Sequence, residues 1–466
     1  MVYTMPEFLE RRYNPQSRTI LSVISLVSYV LTKVAVTVYA GGLVFQQVFG
    51  IKELWGIDFF WIAAIGLVVL TALYTIFGGM KSVLYTSVLQ TPILLLGSLI
   101  ILVLGFKELG GWDEMMRVCG AVTVNDYGDT MTNLIRSNDD ANFPWLGALI
   151  GSAIIGFWYW CTDQFIVQRV LSGKNEKEAR RGTIFGAYLK LLPVFLFLIP
   201  GMIAFALHQK YIGAGGEGFL PMLANGTANA DAAFPTLVAK LLPAGVKGLV
   251  VCGILAALMS SLASLFNSSA MLFTIDFYKR FRPETPEKKL VGIGQIATVV
   301  IVILGILWIP IMRSVGDVLY TYLQDVQSVL APGIAAAFLL GICWKRTSAQ
   351  GGMWGFIAGM IIGLTRLGAK VYYSNAGEVA DSTFKYLFYD MNWLFFCGWM
   401  FLFCIIVVIV VSLATEAPTA EKIQGLVFGT ATKEQKAATR ASWDHWDIIH
   451  TVIILAITGA FYWYFW

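Results

Sequence analysis

Residues 153–193 read AIIGFWYWCTDQFIVQRVLSGKNEKEARRGTIFGAYLKLLP, and this stretch decides the class of fold. It consists of the end of one apolar segment, a basic connection and the start of a second apolar segment. Three polar side chains, Asp163, Gln164 and Lys190, lie inside the apolar parts. A charged side chain at the centre of a bilayer costs roughly 2.5–3.5 kcal/mol on insertion scales, so such residues face a polar cavity or one another. The stretch therefore predicts a polar site within a bundle of membrane helices.

An aromatic cluster stands directly before the acid in this stretch. It runs from Phe157 through Trp158 and Tyr159 to Trp160. Aromatic faces beside hydrogen-bonding groups suit a ligand that is apolar on one face and polar at its edges. A sugar ring has this character, so the cluster is a candidate binding surface.

The composition places the chain among integral membrane proteins. The 466 residues are 57% apolar and 13% charged, with a mean hydropathy of +0.70. The net charge of +4 is small and gives no reason to expect a nucleic-acid partner. The three histidines, His208, His445 and His450, form no metal or catalytic pattern. With no paired carboxylates or nucleophile motif at membrane depth either, the sequence predicts a protein that is not an enzyme.

The apolar runs predict an all-α membrane protein with about eleven transmembrane helices. The candidate spans are 19–50, 59–78, 82–106, 145–170, 182–207, 248–278, 290–311, 317–344, 351–368, 392–414 and 447–465. If the loops alternate between the two sides, most lysine and arginine residues fall on the side of the N-terminus. We therefore expect a multi-pass protein of the plasma or inner membrane, with the N-terminus cytoplasmic, a cytoplasmic linker at 415–446 and the C-terminus external.

The order of the spans indicates a single transporter domain over 1–466. Many secondary transporters contain inverted repeats, with the solute and the ion bound near the midplane. A five-plus-five, LeuT-like core assigns 145–344 to the second repeat, 19–106 to the remainder of the first and 351–465 to additional helices. The helix at 145–170 then lacks a partner five spans earlier, so we expect the first two core helices to be missing from this chain.

Oxygen-bearing side chains recur in the span 248–278. Ser260 and Ser261 offer two hydroxyls, and the carbonyl of Ala257 lies one turn back. Hard cations such as sodium prefer several oxygen ligands. On spacing alone this is a weak signal, because small serine-rich faces also serve as helix-packing surfaces.

Other polar or small residues in the spans have a structural explanation as well as a functional one. Lys190 lies deep enough in its span for a polar-cavity role, and Gln324 and Asp325 precede an Ala-Pro-Gly sequence that is expected to break or kink its helix. Lys33 is expected to make a structural pair with an unnamed partner. The four-residue repeat of Gly351, Gly355, Gly359 and Gly363 favours close helix packing.

Six longer motifs carry a resemblance to a known family. They are TMPEFLERR, GGMKSVLYTSVLQT, FWYWCTDQFIVQRVLS, GAYLKLLPVFLFLIPGM, LMSSLASLFNSSAMLFTIDFYKR and APGIAAAFLLGICWKR. In order along essentially the whole chain, they resemble the sodium/solute symporter family, in its branch of bacterial-type sodium–glucose and sodium–galactose cotransporters. The resemblance implies sodium-coupled symport of a sugar by alternating access, with Na⁺ as the co-transported ion.

The resemblance also implies roles for individual positions. Ala257, Ser260 and Ser261 match a sodium site, and Lys190 and Gln324 match side chains that hydrogen-bond the sugar. Further matches are Tyr159 as the stacking inner gate with Trp158 and Trp160 beside it, Tyr320 as an outer gate, and Asp163 with Gln164 as a polar pair behind the gate.

Four departures from the family pattern qualify these expectations. Members normally carry three more helices before TMPEF, so we expect an N-terminally truncated version of a full transporter. Ser87 replaces an aspartate and Ala263 a threonine of a second sodium site, which implies one sodium per solute. Gly156 replaces a polar sugar contact, which leaves the sugar or polyol open. Open alternatives are symport of inositol or an organic anion, and a sensor or sodium-leak protein; no oligomeric state is predicted.

Overall fold

The computed structural model describes residues 4–223, 226–315, 319–376 and 380–465. Its first half contains ten α-helices: α1 Met5–Arg12, α2 Pro15–Ser28, α3 Ala35–Phe49, α4 Phe59–Leu109, α5 Trp112–Gly120, α6 Trp145–Phe157, α7 Gln164–Leu171, α8 Glu176–Pro193, α9 Ile199–Gly213 and α10 Ala233–Leu241. A short hairpin, β1 Glu53–Leu54 and β2 Ile57–Asp58, precedes α4, and a 3₁₀ turn at Ala230–Ala232 precedes α10.

The second half contains ten further helices: α11 Ala244–Met271, α12 Lys279–Phe281, α13 Glu287–Val315, α14 Leu319–Cys343, α15 Ala349–Asn375, α16 Thr383–Lys385, α17 Trp393–Ala414, α18 Ala420–Ile423, α19 Lys433–Ala441 and α20 His445–Tyr464. Five wider π-helical segments join or extend these helices, at Tyr29–Val34, Trp158–Thr162, Val194–Leu198, Leu272–Tyr278 and Tyr386–Asp390.

Ten helical stretches in the described residues are long and apolar enough to span a bilayer. They lie at Pro15–Phe49, Gln90–Leu109, Trp145–Thr162, Glu176–Gly213, Ala244–Phe281, Glu287–Ile311, Leu319–Cys343, Ala349–Asn375, Trp393–Ala414 and His445–Tyr464. The all-α membrane class is confirmed, although the sequence predicts eleven spans.

Among the described residues, the span expected at 59–78 corresponds to a shorter apolar stretch of α4, Phe59–Leu73, which is not one of the ten. The spans expected at 59–78 and 82–106 form one continuous helix of 51 residues, about 76 Å long at 1.5 Å per residue. Glycine lowers helix propensity by about 1 kcal/mol without ending a helix. The Gly78-Gly79 pair between the two expected spans is followed by neither a proline nor a run of capping residues, so the helix continues.

Side-chain caps explain where several helices begin. Thr4 accepts a hydrogen bond from the backbone N–H of Glu7 at the start of α1. Asn14 caps α2 in the same way, and Pro15 follows it. Proline is tolerated there because N–H groups in the first turn of a helix make no hydrogen bond within the helix. Ser348 caps α15. Each cap satisfies a donor that the helix itself leaves unpaired.

The described residues form two compact units, each assembled from three stretches of chain. The first unit comprises Met1–Lys33, Ser137–Ile184 and Ser268–Val452, and the second comprises Val34–Arg136, Phe185–Asn267 and Ile453–Trp466.

The first unit is built around α14, which packs against α15, α17 and α6. Its buried core includes Leu9, Ile154, Trp158, Phe338 and Leu394. Pro332 lies inside α14, and the helix continues through the Ala-Pro-Gly sequence where a break or kink was expected. Proline removes one intrahelical hydrogen bond, but the surrounding helices bury this segment and hold it in helical form.

The glycine repeat of α15 lies at close helix contacts, so its prediction is confirmed. A methyl group at Gly359 would lie 2.8 Å from the Cα atom of Gly333 in α14. One at Gly351 would lie 2.8 Å from the carbonyl oxygen of Val408 in α17. Only residues without a Cβ atom permit backbones to approach this closely.

The second unit has its own apolar core around α4 and α9. Fully buried side chains there include Ile101, Leu109, Ile203, Leu207 and Leu237. Helix α3 packs along α4, and α10 packs against both α3 and α9.

Candidate functional site

In the first unit, the chain leaves helical geometry next to the aromatic cluster. The π-helical turn Trp158–Thr162 ends at Asp163, whose backbone is extended at φ −77° and ψ 119°. Asp163 then caps α7, because its side chain accepts a hydrogen bond from the N–H of Phe165 at 3.1 Å. π-Helical turns are rare and frequent at functional sites. The stretch that decides the fold thus contains a helix interruption at Asp163, directly after the π-helical turn that carries Tyr159.

The Asp163 carboxylate is buried and fully engaged. The hydroxyl of Tyr29 donates to Oδ1 at 2.9 Å, and the ammonium of Lys33 forms an ion pair with Oδ2. The Tyr29 hydroxyl also accepts from the N–H of Phe165 at 3.0 Å. Lys33, expected only to have some structural partner, is therefore paired with the acid of the candidate site.

The aromatic cluster is divided between the core and the surface of the unit. Trp158 is buried, Tyr159 is half-buried and Trp160 is 51% exposed. The ring of Tyr159 meets the ring of Trp160 edge to face, with 5.3 Å between centroids. Phe157 is also half-buried, so Trp158 is the one buried member of the cluster and the other three retain exposed surface.

Gln164 has a different surrounding from the one expected beside Asp163. It is 1% exposed. Its side-chain oxygen accepts a hydrogen bond from the N–H of Met5 at 2.9 Å, and its amide nitrogen lies 3.6 Å from the sulfur of Met271. These contacts tie α7 to the start of α1.

Gln324 and Tyr320 lie one turn apart on α14. Tyr320 is 55% exposed and Gln324 is half-buried. The neighbouring Asp325 points instead into a basic cluster, 2.7 Å from the Lys370 ammonium and 3.4 Å from the Arg366 guanidinium.

In the second unit, the three residues matched to a sodium site share helix α11. Ala257 and Ser260 are half-buried, and Ser261 is exposed. The Ser260 hydroxyl lies 2.6 Å from that of Ser87 on α4. Ser87 is thus in direct contact with a residue of the candidate sodium site.

Lys190 lies in the last turn of α8 and its side chain is exposed.

Sequence reasoning missed three residues that the structure brings into the first unit's polar clusters. Tyr29 contacts Asp163, and Arg366 and Lys370 contact Asp325. Hydropathy does give one usable signal, since charged residues at membrane depth have partners. It does not say which residue far along the chain is the partner.

Comparison with known proteins identifies the family. Residues 1–363 match the Sodium:solute symporter family. The chain is 35% identical to a sodium/mannose cotransporter of Bos taurus, over 100% of this chain and 80% of that protein. It is 35% identical to sodium/myo-inositol cotransporter 2 of Homo sapiens and 37% identical to sodium/glucose cotransporter 1 of Ovis aries. It spans 64% of the length of each of these two relatives.

A solved structure supports the fold. A Na⁺-coupled sialic acid symporter, in a substrate-bound outward-open state, matches 89% of this chain and 78% of its own, with a TM-score of 0.66 and 22% identity. The expected resemblance and the transporter fold are therefore confirmed. From the match over residues 1–363 and the identities above 30%, we conclude that the chain belongs to the sodium:solute symporter family, whose members are sodium-coupled transporters and not enzymes.

Proposed function

We propose that the protein is a sodium-coupled symporter of a sugar or a related polyol, working by alternating access with one sodium per solute. The observation that carries this proposal is the match, at about one third identity, to cotransporters named for mannose, myo-inositol and glucose. Mannose, myo-inositol and glucose are closely similar ring-shaped polyols, so the names of these three relatives favour this class of solute over an organic anion.

For the solute we propose Tyr159 as the stacking ring, with Trp160 beside it. Both retain exposed surface in the π-helical turn Trp158–Thr162, as a stacking platform requires. Gln324 and Lys190 are proposed as hydrogen-bonding contacts and Tyr320 as an outer gate. Asp163 and Gln164 are proposed to act behind the gate, since both are buried and already hydrogen-bonded within the protein.

For the ion we propose a site formed by the Ala257 carbonyl with the hydroxyls of Ser260 and Ser261. The contact between Ser260 and Ser87 supports a neutral surrounding, with a hydroxyl where a carboxylate would attract a second cation. The excess of lysine and arginine on one side supports a cytoplasmic N-terminus and an external C-terminus in the plasma or inner membrane.

The driving force gives a quantitative test of the stoichiometry. A tenfold sodium gradient is worth about 1.4 kcal/mol, and a potential of 100 mV is worth about 2.3 kcal/mol per charge. One sodium per solute therefore supports a roughly 500-fold accumulation, whereas two would support roughly the square of that ratio.

The experiment uses the 466-residue chain reconstituted in liposomes with radiolabelled glucose, galactose, mannose and myo-inositol. We expect uptake that requires an inward sodium gradient and disappears when choline replaces sodium. Equal solute uptake with sodium and with choline outside the liposomes would refute the proposal. A sodium current that is the same with and without every solute would favour a leak protein instead.

Two variants test the ion site. Ser261→Ala should raise the half-saturating sodium concentration at least tenfold while leaving the solute preference unchanged. The combined Ser87→Asp and Ala263→Ser variant should add ligands for a second sodium and increase the steepness of the sodium dependence. An unchanged sodium affinity in Ser261→Ala would reject the site assignment.

A further inference from the structure

Lys33 and Asp163 come from two π-helical turns that lie far apart in the sequence. Lys33 belongs to the turn Tyr29–Val34, and Asp163 follows the turn Trp158–Thr162. The side chains are only 9% and 2% exposed, respectively. Ionisable residues at membrane depth are rare and mark functional sites by default. We therefore expect this ion pair to have a functional role in addition to its contribution to packing.

The carboxylate fixes the position of the ammonium group. Its Oδ1 atom accepts from the Tyr29 hydroxyl at 2.9 Å and from the Phe165 N–H at 3.1 Å. The other oxygen, Oδ2, is left for Lys33. Because the backbone N–H and the tyrosine hydroxyl already hold Asp163, the ammonium has one well-defined anchor.

The ammonium group in turn lies over aromatic rings. The Lys33 nitrogen is 4.3 Å from the ring centroid of Phe165, 4.6 Å from that of Tyr29, 5.3 Å from that of Tyr159 and 6.0 Å from that of Trp158. All four distances fall within the range of cation–π attraction, about 6 Å. Tyr159 is the one ring among them that the proposed function assigns to the solute.

We propose that Lys33 is a positioning residue for the gate ring: Asp163 holds its ammonium group, and the ammonium group holds the ring of Tyr159. This inference rests on the proposed function for its consequence in transport. The contact between Lys33 and the ring does not depend on which solute is carried.

Lys33→Met removes the charge and keeps the length of the side chain. A cation–π contact contributes about 2 kcal/mol when it is desolvated, and the buried Lys33 belongs to this class, so its loss corresponds to a change of about 30-fold in affinity. We expect the half-saturating solute concentration to rise by that factor, with the half-saturating sodium concentration unchanged. A change of equal size in both would indicate a general structural effect and overturn the proposal.

A double-mutant cycle locates the effect at the ring. In a Tyr159→Leu background, Lys33→Met should have no further effect on solute affinity, because the ring is already gone. In a Tyr159→Phe background, which keeps the ring, Lys33→Met should have its full effect. Equal effects in the leucine and phenylalanine backgrounds would show that Lys33 does not act through the ring.

The single variant leaves a buried carboxylate without its cation and can prevent folding. The pair Lys33→Met with Asp163→Asn removes both charges, while the asparagine oxygen keeps the Tyr29 and Phe165 contacts. This pair should fold and show the same rise in half-saturating solute concentration. Lys33→Arg, which retains a cation, should restore most of the affinity, and normal solute affinity in the doubly neutral variant would refute the inference.

A second readout is independent of transport. Fluorine NMR of protein labelled with 3-fluorotyrosine reports on ring surroundings, and the Tyr159 resonance is identified by its loss in Tyr159→Phe. We expect this resonance to move in Lys33→Met and in the doubly neutral variant, and to stay in place in Lys385→Met, where the lost lysine pairs with the exposed Asp381. An unmoved resonance refutes the role of Lys33, even if the wild type carries no sugar at all.

Discussion

Arg366 offers the sharpest test of how the first unit is held together. Its side chain is fully buried, and its guanidinium lies 4.0 Å from the ring centroid of Phe396. It donates to the carbonyl oxygens of Met391 at 2.7 Å and Leu387 at 3.3 Å, which precede α17. Replacement by methionine keeps the apolar stem and removes every one of these donors.

The contacts set the size of the effect. A hydrogen bond to a charged group contributes about 1.5–3 kcal/mol, and the longer bond to Leu387 belongs at the weak end of that range. The ion pair with Asp325 is long, at 3.4 Å, and Lys370 stays within 2.7 Å to compensate the carboxylate. Arg366→Met should therefore lower the free energy of unfolding by about 3 kcal/mol, mainly through the two carbonyl groups.

The assay is thermal unfolding of the purified protein in detergent, followed by tryptophan fluorescence and by loss of the monodisperse chromatographic peak. For a chain of this length we expect the apparent melting temperature to fall by roughly 3 °C. The control is Lys385→Met, which removes an exposed pair with Asp381 and should leave the melting temperature unchanged. Equal melting temperatures for Arg366→Met and the wild type would refute this account.

Two further changes test the packing around α14. Gly359→Val should destabilise the protein by about 1–3 kcal/mol, because a Cβ atom there would lie 2.8 Å from the Cα of Gly333. Gly368→Val on the same helix is the matched control for melting temperature, because a Cβ atom at that position has no neighbouring atom within 4 Å. Arg12→Met should also lower the melting temperature, because Arg12 is buried and donates at 2.7 Å to the carbonyl of Gly341 near the C-terminus of α14. Limited proteolysis should then cut the variant more readily near α1. An unchanged digestion pattern would contradict the prediction.

The candidate site shows how far sequence reasoning extends. Asp163 and Tyr159 were recognisable because a charge and an aromatic cluster stood together in an apolar run. Gln164 follows Asp163 directly, yet its side chain faces the start of α1. Successive residues leave a helix in different directions, so adjacency in the sequence does not make two side chains part of the same surface.

The sequence by itself determined the membrane class, the family and the glycine face of α15, because hydropathy, motif and four-residue spacing are properties of neighbouring residues. The tertiary structure alone decided that Lys33 pairs with Asp163, that Asp325 meets Arg366 and Lys370, and that Ser87 touches Ser260. It also decided that α4 runs as one helix where the apolar pattern suggested two. Charges buried in an apolar surrounding must find partners, but those partners come from segments that are distant in the chain, and only the packing of the helices brings them within a few ångströms of one another.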